Sequence, residues 1–125
     1  MTALFDTSIL IDHLRGRPEA TELLLAHLGE TRPLVSVLTR VEIEGGMRSE
    51  ERQGVRRLFD ALAVIPVSDE IAKLAGTLLR EYRRSHQGID LVDYVIAATA
   101  LELGANLVTL NPKHFPMFKG LHTPY

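Results

Sequence analysis

A chain of 125 residues with 46% hydrophobic and 24% charged residues is long enough to bury one core and too apolar to be disordered. Its formal net charge of −2 excludes a protein that coats nucleic acid by bulk electrostatics, but not an enzyme that cuts it, whose acids add to that balance. The absence of cysteine excludes disulfides, thiolate metal sites and cysteine nucleophiles.

In chain order, Ala3-Leu4-Phe5 is an apolar run ending in Asp6 and predicts a buried strand. A helix over 8–15 follows, stopped by Gly16, and Pro18 opens a second helix closed by Gly29. Residues 33–37 read as the second strand. It leads into a helix from about Thr39 that carries Val41, Glu42 and Ile43 and loosens at Gly45-Gly46. A helix over 51–62 has Val55, Leu58, Phe59 and Leu62 on one face, and 63–67 is a third strand. Ser68-Asp69-Glu70 resembles a cap before a long helix that runs through Tyr82 and ends near Gly88. An alanine-rich helix over 91–103 is closed by Gly104, residues 106–109 form a fourth strand, and a short fifth is expected after Gly120. Strands alternating with helices, with no repeat or linker between, predict one α/β domain over 1–125. Its central, mainly parallel sheet is flanked by helices. The start lacks the basic and apolar regions of a signal peptide, and no apolar stretch nears the roughly 20 residues of a membrane span. The expected location is the cytoplasm, with no membrane partner.

Ligands of such sheets bind at the carboxyl ends of the strands, which directs attention to acids placed there. Asp6 follows a strand directly and could equally cap the next helix. Glu42 reads alone as a solvated helix glutamate, paired with Arg40 or Arg48, and Glu44 competes for any role given to it. Asp93 says most. It sits in Leu91-Val92-Asp93-Tyr94-Val95-Ile96-Ala97-Ala98-Thr99-Ala100, the most apolar helix of the chain, where a carboxylate is costly unless it is paired, hydrogen-bonded or metal-bound. Asp90, one turn earlier, reads as that helix's N-cap, and the helix dipole favours negative charge at both positions. Asn111 before Pro112 is a common turn whose amide oxygen could also ligate a hard cation. Thr109 could hydrogen-bond a ligating carboxylate. Carboxylates with one neutral oxygen suit Mg²⁺ or Mn²⁺, which activate water and neutralise charge on a leaving oxygen.

Four segments in order carry a family resemblance: Leu4-Phe5-Asp6-Thr7-Ser8, Thr39-Arg40-Val41-Glu42, the block 93–100 and Leu107-Val108-Thr109-Leu110-Asn111-Pro112-Lys113-His114-Phe115. Together they resemble the PIN-domain nucleases, and among them the VapC-type toxins of bacterial toxin–antitoxin pairs. The resemblance implies a PIN-like sandwich and a Mg²⁺- or Mn²⁺-dependent endoribonuclease that hydrolyses RNA phosphodiester bonds and inhibits translation or growth. It implies that Asp6, Glu42 and Asp93 are the catalytic and metal-binding acids, with Asp90, Asn111, Thr109 and Ser8 as accessory residues. Asn111 stands where many members carry a fourth acid. A homodimer, silenced by a cognate VapB-type antitoxin entering the active-site groove, is also implied, with Arg15 as a candidate contact for RNA or antitoxin.

The five histidines show no zinc-like spacing, and His114 reads as a surface residue. Arg48, Arg52, Arg56 and Arg57, and likewise Arg80, Arg83 and Arg84, read as solvated helix faces that could line an RNA groove across a dimer. Tyr82 could stack on a base; Tyr94 reads as core or rim. Two other functions stay open. Phosphoryl transfer through an aspartate generally needs a second Asp two places after the first, and Ser8 stands there. A non-catalytic protein-binding module would use the acids only to cap or repel.

Overall fold

The computed structural model describes residues 2–29 and 31–125. Among them, four short strands form one parallel sheet: β1 (Ala3–Phe5), β2 (Leu34–Ser36), β3 (Ala63–Ile65) and β4 (Asn106–Val108), in the order β3-β2-β1-β4. Six α-helices flank it: α1 (Thr7–Leu14), α2 (Pro18–His27), α3 (Val37–Gly46), α4 (Arg52–Asp60), α5 (Asp69–Tyr82) and α6 (Leu91–Leu103). The α/β architecture read from the sequence is the one observed.

The period-2 alternation of β1 divides the core into two layers. Ala3 and Phe5 face a cluster that includes Ile9, Leu10, Leu24, Ile43, Val55 and Phe59, from α1 to α4. Leu4 faces the other way, into a cluster with Ile71, Ala75 and Leu78 of α5, most of α6, and Phe115. Because both faces of β1 are covered, all three of its residues are buried, as expected of a central parallel strand. Successive strands build outward from β1 to β3, and β4 then adds to the opposite side of β1. The direction of winding therefore switches between β1 and β4. A crevice is expected at their carboxyl ends.

Local chemistry sets most boundaries. Ser68 Oγ accepts from the Ile71 amide at 3.1 Å and starts α5; Asp90 Oδ1 accepts from the Asp93 amide at 2.9 Å and starts α6. Gly104 ends α6 with φ +62, a left-handed conformation that a side chain disfavours. The differences from expectation have equally local causes. Helix α3 starts two residues before Thr39, because Ser36 Oγ accepts from the Leu38 amide at 3.1 Å and caps it there. Gly45 and Gly46 remain helical. Helix α5 ends at Tyr82, well before Gly88, and turns fill the interval. The fifth strand does not form: residues 121–125 carry no ladder, since Gly120 turns the chain at φ +75 and Pro124 has no amide proton to donate.

A Cβ built on Gly104 meets nothing within 4 Å, so the cost of a side chain there is conformational only. Gly104→Ala is expected to lower stability by about 1 kcal/mol in urea denaturation, with the slope unchanged.

Candidate active site

Asp6 lies at the switch point, and its surroundings explain how a carboxylate stays there. It is 4% exposed and directly follows the central strand, and its amide donates to Val108 O at 2.9 Å. Its Oδ2 accepts from Ser8 Oγ at 2.9 Å and from Thr109 Oγ1 at 2.7 Å; its Oδ1 accepts from the Thr7 amide at 2.8 Å. A carboxylate has about four acceptor positions, so three are filled and the remaining one is on Oδ1. Asp6 thus does both things open to it: it caps α1 and keeps one lone pair free.

Thr109 is fully buried, and its hydroxyl also accepts from the Asn111 amide at 2.9 Å. Ser8 Oγ accepts from the Leu110 amide at 3.2 Å. These two hydroxyls stitch the turn after β4 to Asp6. The Asn111 side chain, by contrast, makes no capping bond and is exposed.

Glu42 arrives from α3. Its Oε1 accepts from Thr7 Oγ1 at 2.6 Å, and Thr7 shares a 3.1 Å hydrogen bond with the buried Thr39 hydroxyl. Oε2 has no partner among the described residues. Neither Arg40 nor Arg48 pairs with Glu42. Arg40 instead reaches Glu44 at 3.7 Å and lies over the Phe59 ring, 4.3 Å from its centroid. Geometry therefore separates the two glutamates, turning Glu42 to the end of β1 and Glu44 to the helix surface.

Asp93 sits in the first turn of α6, 9% exposed, in a reciprocal capping box with Asp90. Its Oδ2 accepts from the Asp90 amide at 3.3 Å and lies 3.2 Å from His114 Nδ1, while Oδ1 is unpartnered among the described residues. Burial pushes the Asp93 carboxyl up to about 6. The Asp90 amide opposes that shift, the negative charge of Asp90 adds to it, the His114 ring opposes it, and Asp6 adds to it. Since Asp6 contributes, the carboxylates of β1 and α6 share one electrostatic environment. Both begin helices, α1 and α6, whose dipoles offset part of the repulsion.

Glu42 Oε2 and Asp93 Oδ1 are thus free of hydrogen bonds among the described residues, Asp6 Oδ1 keeps one unused lone pair, and the buried Asp6 and Asp93 carboxylates repel each other. That donor chemistry suits a hard divalent cation. As the side chains stand, no three carboxylate or imidazole groups among the described residues converge closely enough to hold an ion. Glu42 is drawn onto Thr7 and Asp93 onto His114.

Arg15, at the end of α1, pairs with Glu51. Both line a cleft of about 150 Å³ that also includes Glu42, so the residue expected to meet a partner lies beside one of the acids. A larger apolar cavity, lined by His13, Leu24, Leu25, Leu28, Leu58 and Leu62, contains no carboxylate and takes no part in this chemistry. Sequence reading missed three contributors. Thr7 and Thr39 hold Glu42, and His114, read as a surface residue, packs its ring against Asp93. The only signal for Thr7 was its place between Asp6 and Ser8.

The chain is similar to known proteins along nearly all its length. A family model described as PIN domain matches residues 3–118. Ribonuclease VapC19 of Mycobacterium tuberculosis is 45% identical over 123 residues, covering 98% of each chain. Ribonuclease VapC10 of the same organism is 44% identical over 122 residues, covering 98% of this chain and 92% of the relative. A toxin–antitoxin complex from Klebsiella pneumoniae contains a chain that superposes with a TM-score of 0.82 at 34% identity, covering 99% of this chain and 98% of that one.

The raised Asp93 carboxyl has a consequence for stability. A folded-state value of about 6 above an ordinary 3.8 means the group contributes stability at low pH that is lost as pH rises through about 6. With a chelator present, Asp93→Asn is expected to raise Tm by a few degrees at pH 8, about 1 kcal/mol after allowance for solvent screening, and to leave it nearly unchanged at about pH 3, below the unfolded-state value. Thermal melts at the two pH values check this.

Proposed function

This chain belongs to the PIN-domain family, and from that premise we propose that it is the endoribonuclease toxin of a toxin–antitoxin pair, using Asp6, Glu42 and Asp93 around a divalent cation. The observation that supports the reading is that acids just after β1, in α3 and in the first turn of α6 approach the sheet's switch point, Glu42 and Asp93 each with an unpartnered oxygen and Asp6 with one unused lone pair on Oδ1. Mg²⁺ or Mn²⁺ bound there would activate water and offset charge developing at the scissile phosphate and its leaving oxygen.

The chain's own residues divide the remaining work. Ser8 and Thr109 fix the Asp6 carboxylate so that Oδ1 is the oxygen presented. Asp90 and His114 hold Oδ2 of Asp93, which leaves Oδ1 outward. Thr7, supported by Thr39, carries Glu42. These neighbours set the orientation of the ligands, a role whose loss typically costs 10–100-fold. Asn111 and Asp90, both exposed, are the candidate accessory oxygens for the same centre. The cleft shared by Arg15 and Glu42 gives an antitoxin segment a path toward the acids, so the cognate VapB-type antitoxin silences the enzyme by occupying it.

The reading includes a single domain over 1–125 acting in the cytoplasm as a homodimer. Exposed Val41 and Leu91, 65% and 64% accessible, support a further protein contact close to the acids. No described helix is long and apolar enough to cross a membrane. Aspartate-based phosphoryl transfer is disfavoured by the neighbour of Asp6. The second aspartate generally needed two places later is replaced by Ser8, whose hydroxyl donates to Asp6 Oδ2 at 2.9 Å.

Purified protein is expected to cut total RNA with Mg²⁺ or Mn²⁺ and to stop when a chelator is added. Asp6→Asn and Asp93→Asn are expected to lose at least ~100-fold while remaining folded. Thr109→Val, which keeps shape but removes one donor to Asp6, should lose about 10–100-fold. Retained cutting by a folded Asp93→Asn variant would overturn the assignment. Absence of any metal-dependent cutting would favour a non-catalytic binding module.

A further inference from the structure

The acids occupy only part of the surface at this end of the sheet. Beside them a second cleft, of about 450 Å³, opens between the loop after α5 and the short turn after β4, lined by Ser85, His86, Gln87, Pro112, Lys113 and Pro116. Both lining segments are tied to the acidic centre by short stretches of chain. Gln87 lies three residues before Asp90, the cap of α6, a span of about 11 Å at most. Lys113 directly precedes His114, whose ring touches Asp93. A polymer with one phosphate at the acids can therefore extend to this cleft.

Its chemistry is opposite to that of the acidic centre. No carboxylate lines it, and Lys113 brings an exposed positive charge. Arg83 and Arg84 stand just upstream of the lining loop, and among the described residues none of these three cations enters an ion pair. Unpaired cations beside a cluster of acids have no structural partner to satisfy; a phosphate backbone would supply one. The His86 ring is held in place, with Ser85 Oγ 2.7 Å from its Nδ1 and the Tyr82 ring edge-on at 5.5 Å between centroids. A braced imidazole and two proline rings give flat surfaces for a base to pack on, and the Gln87 amide offers a donor and an acceptor to a base edge. The volume lies within the range of small-ligand pockets and admits a nucleotide.

We propose that this cleft is a nucleotide subsite for the single-stranded RNA flanking the scissile phosphate. Lys113 neutralises a neighbouring phosphate, His86 packs on the base, and Gln87 reads its edge and so selects where the chain cuts. The inference rests on the ribonuclease reading above. A base-sized hollow with hydrogen-bonding and ring surfaces suits a nucleotide better than an extended acidic peptide, which would need a longer track.

Two measurements test it. Binding of a fluorescein-labelled, mixed-sequence 12-nucleotide RNA is followed by anisotropy in an Asp6→Asn background. Adding Lys113→Ala should weaken it by about 3–10-fold and reduce the slope of log affinity against log salt by about 0.7, the share of one phosphate contact on a single strand. In the otherwise unaltered enzyme, Gln87→Ala should redistribute cut positions on a long RNA, mapped by sequencing the ends, with Tm unchanged. Unaltered RNA affinity, salt slope and cut positions would overturn the subsite, and if Asp93→Asn still abolished cleavage the ribonuclease reading would stand without it. Weakened antitoxin binding with unaltered RNA binding would equally overturn it, by making the cleft a protein contact. Cleavage indifferent to Asp93→Asn would remove the reading underneath.

Discussion

The hydrogen bonds converging on Asp6 are the constraint on which the rest of the arrangement depends. Burying a lone carboxylate in a sheet crevice is strongly unfavourable, and here the cost is met by the Thr7 amide and the Ser8 and Thr109 hydroxyls. Those donors come from α1 and from the turn after β4, separated by about 100 residues of chain. The set that holds the Asp6 carboxyl therefore also locks β4 and its following turn against β1. That turn carries His114 to Asp93 and Lys113 to the neighbouring cleft. Stability of the crevice and positioning of the acids come from the same bonds.

What those bonds do not remove is repulsion between the acids. Burial raises the Asp93 carboxyl most, and the charges of Asp90 and Asp6 raise it further. Helix dipoles at the starts of α1 and α6 and the ring of His114 oppose this only in part. Strain of this kind is common where function needs charges that folding alone would disperse. A cation of charge two is the simplest species that would relieve it, because its charge would attract every anion of the set.

Much of this could be read from the sequence, for reasons that differ by residue. Helix α6 was read with the bounds observed, because Asp90 and Gly104 are strong local stop signals and the intervening run is unambiguous. The starting point of α3 was not, because Val37 and Leu38 continue an apolar run and only the Ser36 side chain shows that the strand has ended. The fifth strand was expected from proximity to the sheet and failed on backbone chemistry at Gly120 and Pro124. Within the site, Asp6, Asp93 and Thr109 stood out by their place after strands or inside an apolar helix. Thr7 and His114 did not. Their contacts, to Glu42 across 35 residues and to Asp93 across a turn of the fold, exist only once the strands are ordered.

The central claim is that residues on three separate elements form one cation site, and calorimetric titration with Mn²⁺ addresses it most directly. The account predicts one binding event in the unaltered chain, weakened tenfold or more by each of Asp6→Asn, Glu42→Gln and Asp93→Asn made singly, because each removes an anionic ligand from the same ion. No binding in the unaltered chain, or an affinity indifferent to any one of the three substitutions, would contradict it.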